Sequence, residues 1–242
     1  MKLVVGKNYD DMSKLAAEQM IENWNEIKVL GLATGSTPLG LYNELIKANE
    51  EGRISFEDKI SVNLDEYIGL PDGHKESYRT FMNDNLFDKV DIDKSNTYVP
   101  KAKDEHDTNA GEEYEKLVEK LGGQDVQILG IGENGHIAFN EPAPELNGKT
   151  GIVKLTQSTI HANSRFFNNE DEVPKYAISM GMGTILQAKE IILLASGKKK
   201  ADAIKKLLND DKITTDCPVT FLKLHKNVTV YIDEDIKEEL DK

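Results

Sequence analysis

Short apolar runs, separated by longer stretches with helical spacing, set the rhythm of this chain. Lys2-Leu3-Val4-Val5 reads as a first strand. Met12, Leu15, Ala16, Met20 and Ile21 then recur close to the helical repeat, which predicts a helix from Tyr9 to about Asn23. Val29 to Ala33 forms a second apolar run, followed by a glycine turn and a predicted helix from Pro38 to about Asn49. A third strand, Ile60 to Leu64, ends in Asp65-Glu66. The alternation continues with a helix near 110–121, strands at 126–131 and 177–180, and a helix at 183–188. Strands at Ile191–Ala195 and Val228–Ile232, with a helix at 198–208 between them, complete it. Strands alternating with helices predict βαβ units, hence an α/β fold with a doubly wound, mostly parallel sheet and helices on both faces. Two segments break the rhythm. Residues 66–80 are polar and glycine-bearing, and 140–176 lack long apolar periods, so both read as active-site loops or a lid. With no internal repeat and no low-complexity linker, one domain over residues 1–242 is expected.

Composition narrows the function classes. Forty-three acidic against thirty basic side chains give a formal net charge of −13. Such a surface repels the phosphates of DNA, RNA and anionic lipid, so neither nucleic acid nor membrane is an expected partner. A small anionic substrate is still admissible, because it responds to a local cluster of cations. The single Cys217 excludes an intramolecular disulfide and is expected to be structural. No stretch approaches the roughly 18 consecutive apolar residues of a membrane span, and the N-terminus lacks a signal-peptide pattern, so a cytoplasmic location is expected.

The candidate chemistry sits where strands are predicted to end, which is where open α/β sheets bind ligands. Gly130 to Pro142 reads G-I-G-E-N-G-H-I-A-F-N-E-P and places His136, Glu141, Asn134 and Asn140 directly after an apolar run. An imidazole with a carboxylate five residues on has the parts of a proton-transfer device. Asp65 and Glu66 could supply a base and an orienting partner, although an acidic pair beginning a polar loop is more often a solvated turn or helix cap. The turn Ala33-Thr34-Gly35-Ser36-Thr37-Pro38 suits an anion, with Thr37 expected at the N-cap and Pro38 at the first helical position. It is equally a well-capped βα turn, and it is neither a Walker nor a dinucleotide pattern. Arg165 and Lys200 are candidate cations for the same anion, although each taken alone reads as a surface residue. No zinc cluster, calcium loop or nucleophile elbow is present. The other histidines, His74, His106, His161 and His225, read as loop or packing residues.

Taken together, the A-T-G-S-T-P, V-N-L-D-E-Y-I-G-L-P, G-H-I-A-F-N-E-P, N-S-R-F-F and S-G-K-K-K-A segments resemble the glucosamine-6-phosphate deaminase family along nearly the whole chain. The resemblance implies a Rossmann-like fold, no metal or organic cofactor, and conversion of glucosamine 6-phosphate and water to fructose 6-phosphate and ammonia. It implies that Asp65 is the base moving a proton between C2 and C1. It gives ring opening to His136 with Glu141 and Asn134, and the substrate phosphate to Gly35, Ser36, Thr37, Arg165 and Lys200. Well-known members carry Asp where this chain has Asn134, so Asn134 is expected to orient rather than to act as a base. Allosteric members carry a pattern of basic residues shortly after the F-N-E-P element, and Asn147–Val153 lacks that pattern. An enzyme not activated by N-acetylglucosamine 6-phosphate is therefore expected, as a monomer or homo-oligomer. The alternatives are a 6-phosphogluconolactonase-like hydrolase, which also uses a G-H histidine, and a non-catalytic sugar-phosphate-sensing domain.

Overall fold

The computed structural model describes residues 1–209 and 211–242. Its strands are β1 (Lys2–Gly6), β2 (Val29–Leu32), β3 (Ile60–Asn63), β4 (Asp65–Tyr67), β5 (Thr97–Tyr98), β6 (Val126–Leu129), β7 (Gly151–Lys154), β8 (Tyr176–Ser179), β9 (Glu190–Ala195) and β10 (Val228–Asp233). The helices are α1 (Tyr9–Glu22), α2 (Leu39–Glu50), α3 (Tyr78–Asn85), α4 (Ala110–Lys120), α5 (Gln157–Asn163), α6 (Met182–Ile185), α7 (Ala201–Asn209) and α8 (Glu234–Leu240). Seven strands form one sheet in the order β1-β10-β9-β6-β2-β3-β5, and every neighbouring pair in it is parallel.

The sheet is buried on both faces, which is why its central strands read as near-continuous apolar runs. Alternate residues feed two cores. Leu30, Leu32, Val126, Ile128, Ile192 and Leu194 pack with Met12, Ala16, Leu41 and Leu45 of α1 and α2. Val29, Val62, Leu129, Ile191, Leu193 and Val230 pack with Tyr114, Ile185, Ile204 and Ile236 of α4, α6, α7 and α8. The expected helices on both faces are present.

The strand order places the functional region. From β2 the chain moves outward through β3 and β5, then returns to β6 on the other side of β2. The carboxyl ends of β2 and β6 therefore flank the topological switch point, the crevice where such sheets bind ligands.

Several expectations need correction. The predicted strand at 177–180 is β8, and it does not join the parallel sheet. It is the centre of a separate antiparallel sheet, β4-β8-β7. The polar segment 66–80 and the segment 140–176 are not plain loops, because they contain part of β4, β7, α5 and the start of α3. These elements are too short to leave a strong periodic signal. The helix expected at 183–188 is the four-residue α6, and 198–200 is a 3-10 turn leading into α7. Nor is Thr37 the cap of α2: Pro38 occupies the cap position without a side-chain hydrogen bond, and the helix starts at Leu39. Tyr9 does that work from α1. Its hydroxyl accepts from the Gly40 N–H at 2.7 Å and lies 2.9 Å from the Ser36 carbonyl oxygen, to which it donates.

Candidate active site

Asp65 stands at the junction of the two sheets. Leu64 is the one residue between β3 and β4; its N–H donates to Leu32 in the parallel sheet and its carbonyl accepts from Met180 after β8. Asp65 is 7% exposed, and no described residue hydrogen-bonds or ion-pairs with its carboxylate. Burial, reinforced by the charge of Glu66, pushes its pKa up to about 8. Glu66 has a different task. Its carboxylate accepts from the backbone N–H groups of Tyr67, Tyr78 and Arg79 at 2.8–2.9 Å, closing the first turn of α3. Successive strand residues point to opposite faces, so the adjacent acids part company. The helix-cap alternative is the correct reading of Glu66, and Asp65 is left buried without a hydrogen-bond partner among the described residues.

The loop after β6 builds the second group. Gly132 and Gly135 are required there by contact. A Cβ on Gly132 would lie 2.2 Å from the His136 Nδ1, and one on Gly135, at φ +85°, would lie 2.4 Å from the Cys217 Sγ. Ala138 follows in the left-handed region at φ 52°, a conformation that costs a non-glycine residue roughly 1–3 kcal/mol. It is held by the Asn140 N–H donating to Ile137 and the Phe139 N–H donating to the Ser179 Oγ. Ser179 is the antiparallel partner of Asp65, so β8 ties this loop to the buried acid.

Within the loop, three side chains form one network. Asn134 Nδ2 donates to Glu141 Oε2 at 2.8 Å, which leaves Asn134 Oδ1 as an acceptor. That oxygen accepts from the His136 backbone N–H at 3.1 Å and faces His136 Nδ1 at 2.8 Å. Glu141 Oε2 lies 3.3 Å from the same ring nitrogen. Both neighbours of Nδ1 accept, so Nδ1 carries a proton and Nε2 is the ring atom free to exchange one. About a third of the imidazole side chain (35%) is open to solvent. Burial alone would raise the Glu141 pKa; His136, Thr159 and Asn134 outweigh it and hold the carboxyl at about 2. Asn134, His136 and Glu141 are therefore brought together as expected. Thr159 of α5, whose hydroxyl donates to Glu141 Oε1 at 2.7 Å, was not legible in the sequence. A cap signal at Thr156 could have revealed the helix, but no local pattern links residues 18 apart.

The candidate anion-binding residues are less tightly gathered. The 35–37 turn follows β2 and abuts the β6 loop, with Thr37 Cβ 3.8 Å from the position of a Cβ on Gly130. Lys200 follows β9, the other neighbour of β6. Burial lowers its ammonium pKa, against the pull of Glu133 and alongside the repulsion of Lys199. Arg165 stays apart: it is exposed on the lid with its guanidinium stacked 4.6 Å from the Phe166 ring centre. No hydrogen bond or ion pair joins it to the turn or to Lys200 among the described residues. The lid is fastened elsewhere, by Asn163 Nδ2 donating to the Tyr67 hydroxyl at 2.8 Å and by Phe167 packing on Tyr67 and His74. Among the described residues, no group of three or more His, Cys, Asp or Glu side chains could hold a metal, and no helix is long and apolar enough to cross a membrane.

A buried acid without a partner among the described residues and an oriented imidazole, at the carboxyl edge of a doubly wound parallel sheet, define the class: an α/β protein whose ligand crevice presents two groups able to exchange protons. Residues 8–231 match the family described as glucosamine-6-phosphate isomerases/6-phosphogluconolactonase. A glucosamine-6-phosphate deaminase of Clostridium perfringens (strain SM101 / Type A) is 48% identical over 237 residues, covering 97% of this chain and 98% of the relative. One of Thermoanaerobacter sp. (strain X514) is 50% identical over 239 residues, covering 97% and 93%. A solved monomeric glucosamine-6-phosphate deaminase superposes with a TM-score of 0.93 at 42% identity, covering 98% and 99%. A 6-phosphogluconolactonase from Trypanosoma cruzi shares the fold, with a TM-score of 0.77 at 22% identity over 100% and 97% of the two chains. The chain belongs to the glucosamine-6-phosphate isomerase/6-phosphogluconolactonase family and is an enzyme of its glucosamine-6-phosphate deaminase branch.

Proposed function

We propose that the protein converts glucosamine 6-phosphate and water to fructose 6-phosphate and ammonia, with Asp65 and His136 dividing the proton transfers. The observation that carries this reading is the pairing of a buried, partnerless Asp65 with a histidine whose Nδ1 proton is held and whose Nε2 is free. The substrate rests as a closed pyranose. Ring opening needs a proton taken from the anomeric hydroxyl and one given to the ring oxygen, and His136 Nε2 performs that exchange while Asn134 and Glu141 fix the ring. In the open aldehyde the C2 proton is acidic. Asp65 removes it, the carbonyl oxygen is protonated, and an enolamine forms. Return of the proton to C1 gives the 2-imine; water then adds at C2 and ammonia leaves. A buried carboxyl without a hydrogen-bond partner among the described residues and a partly exposed, oriented imidazole are different enough in setting to take two separate proton jobs.

The phosphate is assigned to the Gly35-Ser36-Thr37 turn and Lys200, with Arg165 delivered by the lid. Anchoring a remote phosphate positions C1 and C2 against Asp65 and puts binding energy to use at the reacting centre. An ammonia-release assay on glucosamine 6-phosphate tests the reading, with 6-phosphogluconolactone as the parallel substrate. Ammonia from the first and no hydrolysis of the second is expected. Lactone hydrolysis without ammonia would replace the proposal with the lactonase reading, and binding of fructose 6-phosphate without turnover would replace it with a sensor.

A further inference from the structure

Among the described residues, the Thr159 hydroxyl is the one hydrogen-bond partner of the Asn134–His136–Glu141 network that comes from outside the β6 loop. Thr159 lies on α5, in the segment between β7 and β8 that also carries Arg165 and Asn163. Its Oγ sits 2.7 Å from Glu141 Oε1, while the other carboxylate oxygen takes Asn134 Nδ2 and faces His136 Nδ1. Thr156 Oγ lies 2.9 Å from the same hydroxyl, but the charged carboxylate is the stronger acceptor, so the Thr159 proton goes to Glu141. A carboxylate fixed at one oxygen only can swing about its terminal torsion, which is broad for Glu. Fixed at both, it holds the imidazole in one orientation.

We propose that Thr159 is a positioning residue for ring opening: with the lid docked, its hydroxyl locks Glu141 and thereby His136. The inference rests on the ring-opening role assigned to His136 above. It makes the lid more than a cover, because the element carrying the candidate phosphate ligand Arg165 also completes the histidine's support. Lid docking and orientation of the proton-transfer group then become one event. The other lid contacts, Asn163 to Tyr67 and Phe167 to Tyr67 and His74, make no hydrogen bond to the network among the described residues.

The test compares glucosamine 6-phosphate with its 5-deoxy analogue, which lacks the ring oxygen and cannot close to the pyranose. Thr159→Val keeps the shape and removes the donor. It should slow kcat on the closed substrate by roughly tenfold or more, the loss expected for one hydrogen bond to a charged group. C2 proton exchange of the open analogue should change less than about twofold by the same argument. Thr159→Ser should restore the closed-substrate rate. Equal slowing of both substrates, or no slowing of either, overturns the proposal, since a residue that merely packs the lid would not separate the two. His136→Gln measured alongside keeps the two readings distinguishable. An unselective His136→Gln overturns the ring-opening role itself, whereas a selective one beside an unselective or silent Thr159→Val overturns only the role of Thr159.

Discussion

At the residue scale, Asp65 and Glu66 show how adjacent identical functional groups acquire different chemistry. Both are carboxylates in a buried region, and burial pushes both pKa values up. Glu66 has three backbone N–H donors and the Arg79 charge to oppose that push, whereas Asp65 has no such compensation. The unliganded enzyme therefore holds Asp65 largely protonated below pH 8. If Asp65 is the C2 base, kcat/KM should rise with pH through about 8, because that parameter reports the free enzyme. The same shift has a stability consequence. A carboxylate whose folded pKa lies above its unfolded value binds more protons in the folded state, so stability is fully present below about pH 4 and declines as pH rises toward 8. Asp65→Asn should thus abolish C2 proton exchange while raising the thermal midpoint at pH 9 by several degrees. A midpoint that falls at pH 9 would show that Asp65 is not the strained, desolvated acid described here. The D-E-Y sequence displayed both acids, but only the strand alternation and the position of α3 decided which one was free.

At the scale of elements, helix and loop ends determine the site more than helix interiors do. The turn at 35–37 is shaped by Tyr9, which serves both the Gly40 N–H and the Ser36 carbonyl from 27 residues or more away. Glu66 likewise closes α3 across a polar connection that the hydrophobic pattern left blank. Glu66→Gln keeps the size of the side chain but loses the charge and one of its carboxylate oxygens. It should destabilise the protein by about 1–2 kcal/mol, read as a lower denaturation midpoint, with a smaller effect on kcat than on stability. Long amphipathic stretches such as α1 and α2 were legible because their apolar stripes face the sheet. The short antiparallel strands β4 and β7 were not, since four residues or fewer carry too little pattern to stand out from a loop.

For the whole molecule, the two-sheet arrangement is the decisive feature. The parallel sheet aligns the ends of β2, β3, β6 and β9 along one edge, and the small sheet β4-β8-β7 carries the lid back over that edge. The segment Asn147–Val153 leading into the lid is pinned to α6, through Met182 N–H donating to Asn147 and Thr184 N–H donating to Gly148. Glu115 holds it as well, by accepting from the Thr150 N–H. The cleft beside it, about 520 Å³, is lined by Glu105, Asp107, Glu112 and Glu115 with Lys149 as its only cation. Such a wall repels an anionic effector. Kinetics on glucosamine 6-phosphate should therefore be hyperbolic and unchanged by N-acetylglucosamine 6-phosphate; sigmoidal kinetics relieved by that sugar would contradict the expectation.

The chain by itself determined the α/β class, the parallel core and the identity of most candidate groups. Those features depend on local periodicity and on glycine-bearing strand ends, which the order of residues records directly. Tertiary structure alone decided that Asp65 is isolated, that Glu66 is a cap, that Arg165 stands off from the other cations, and that Thr159 completes the support of His136. Each of these depends on distances between segments far apart in sequence. Such distances follow from how the two sheets pack, and no spacing along the chain encodes them.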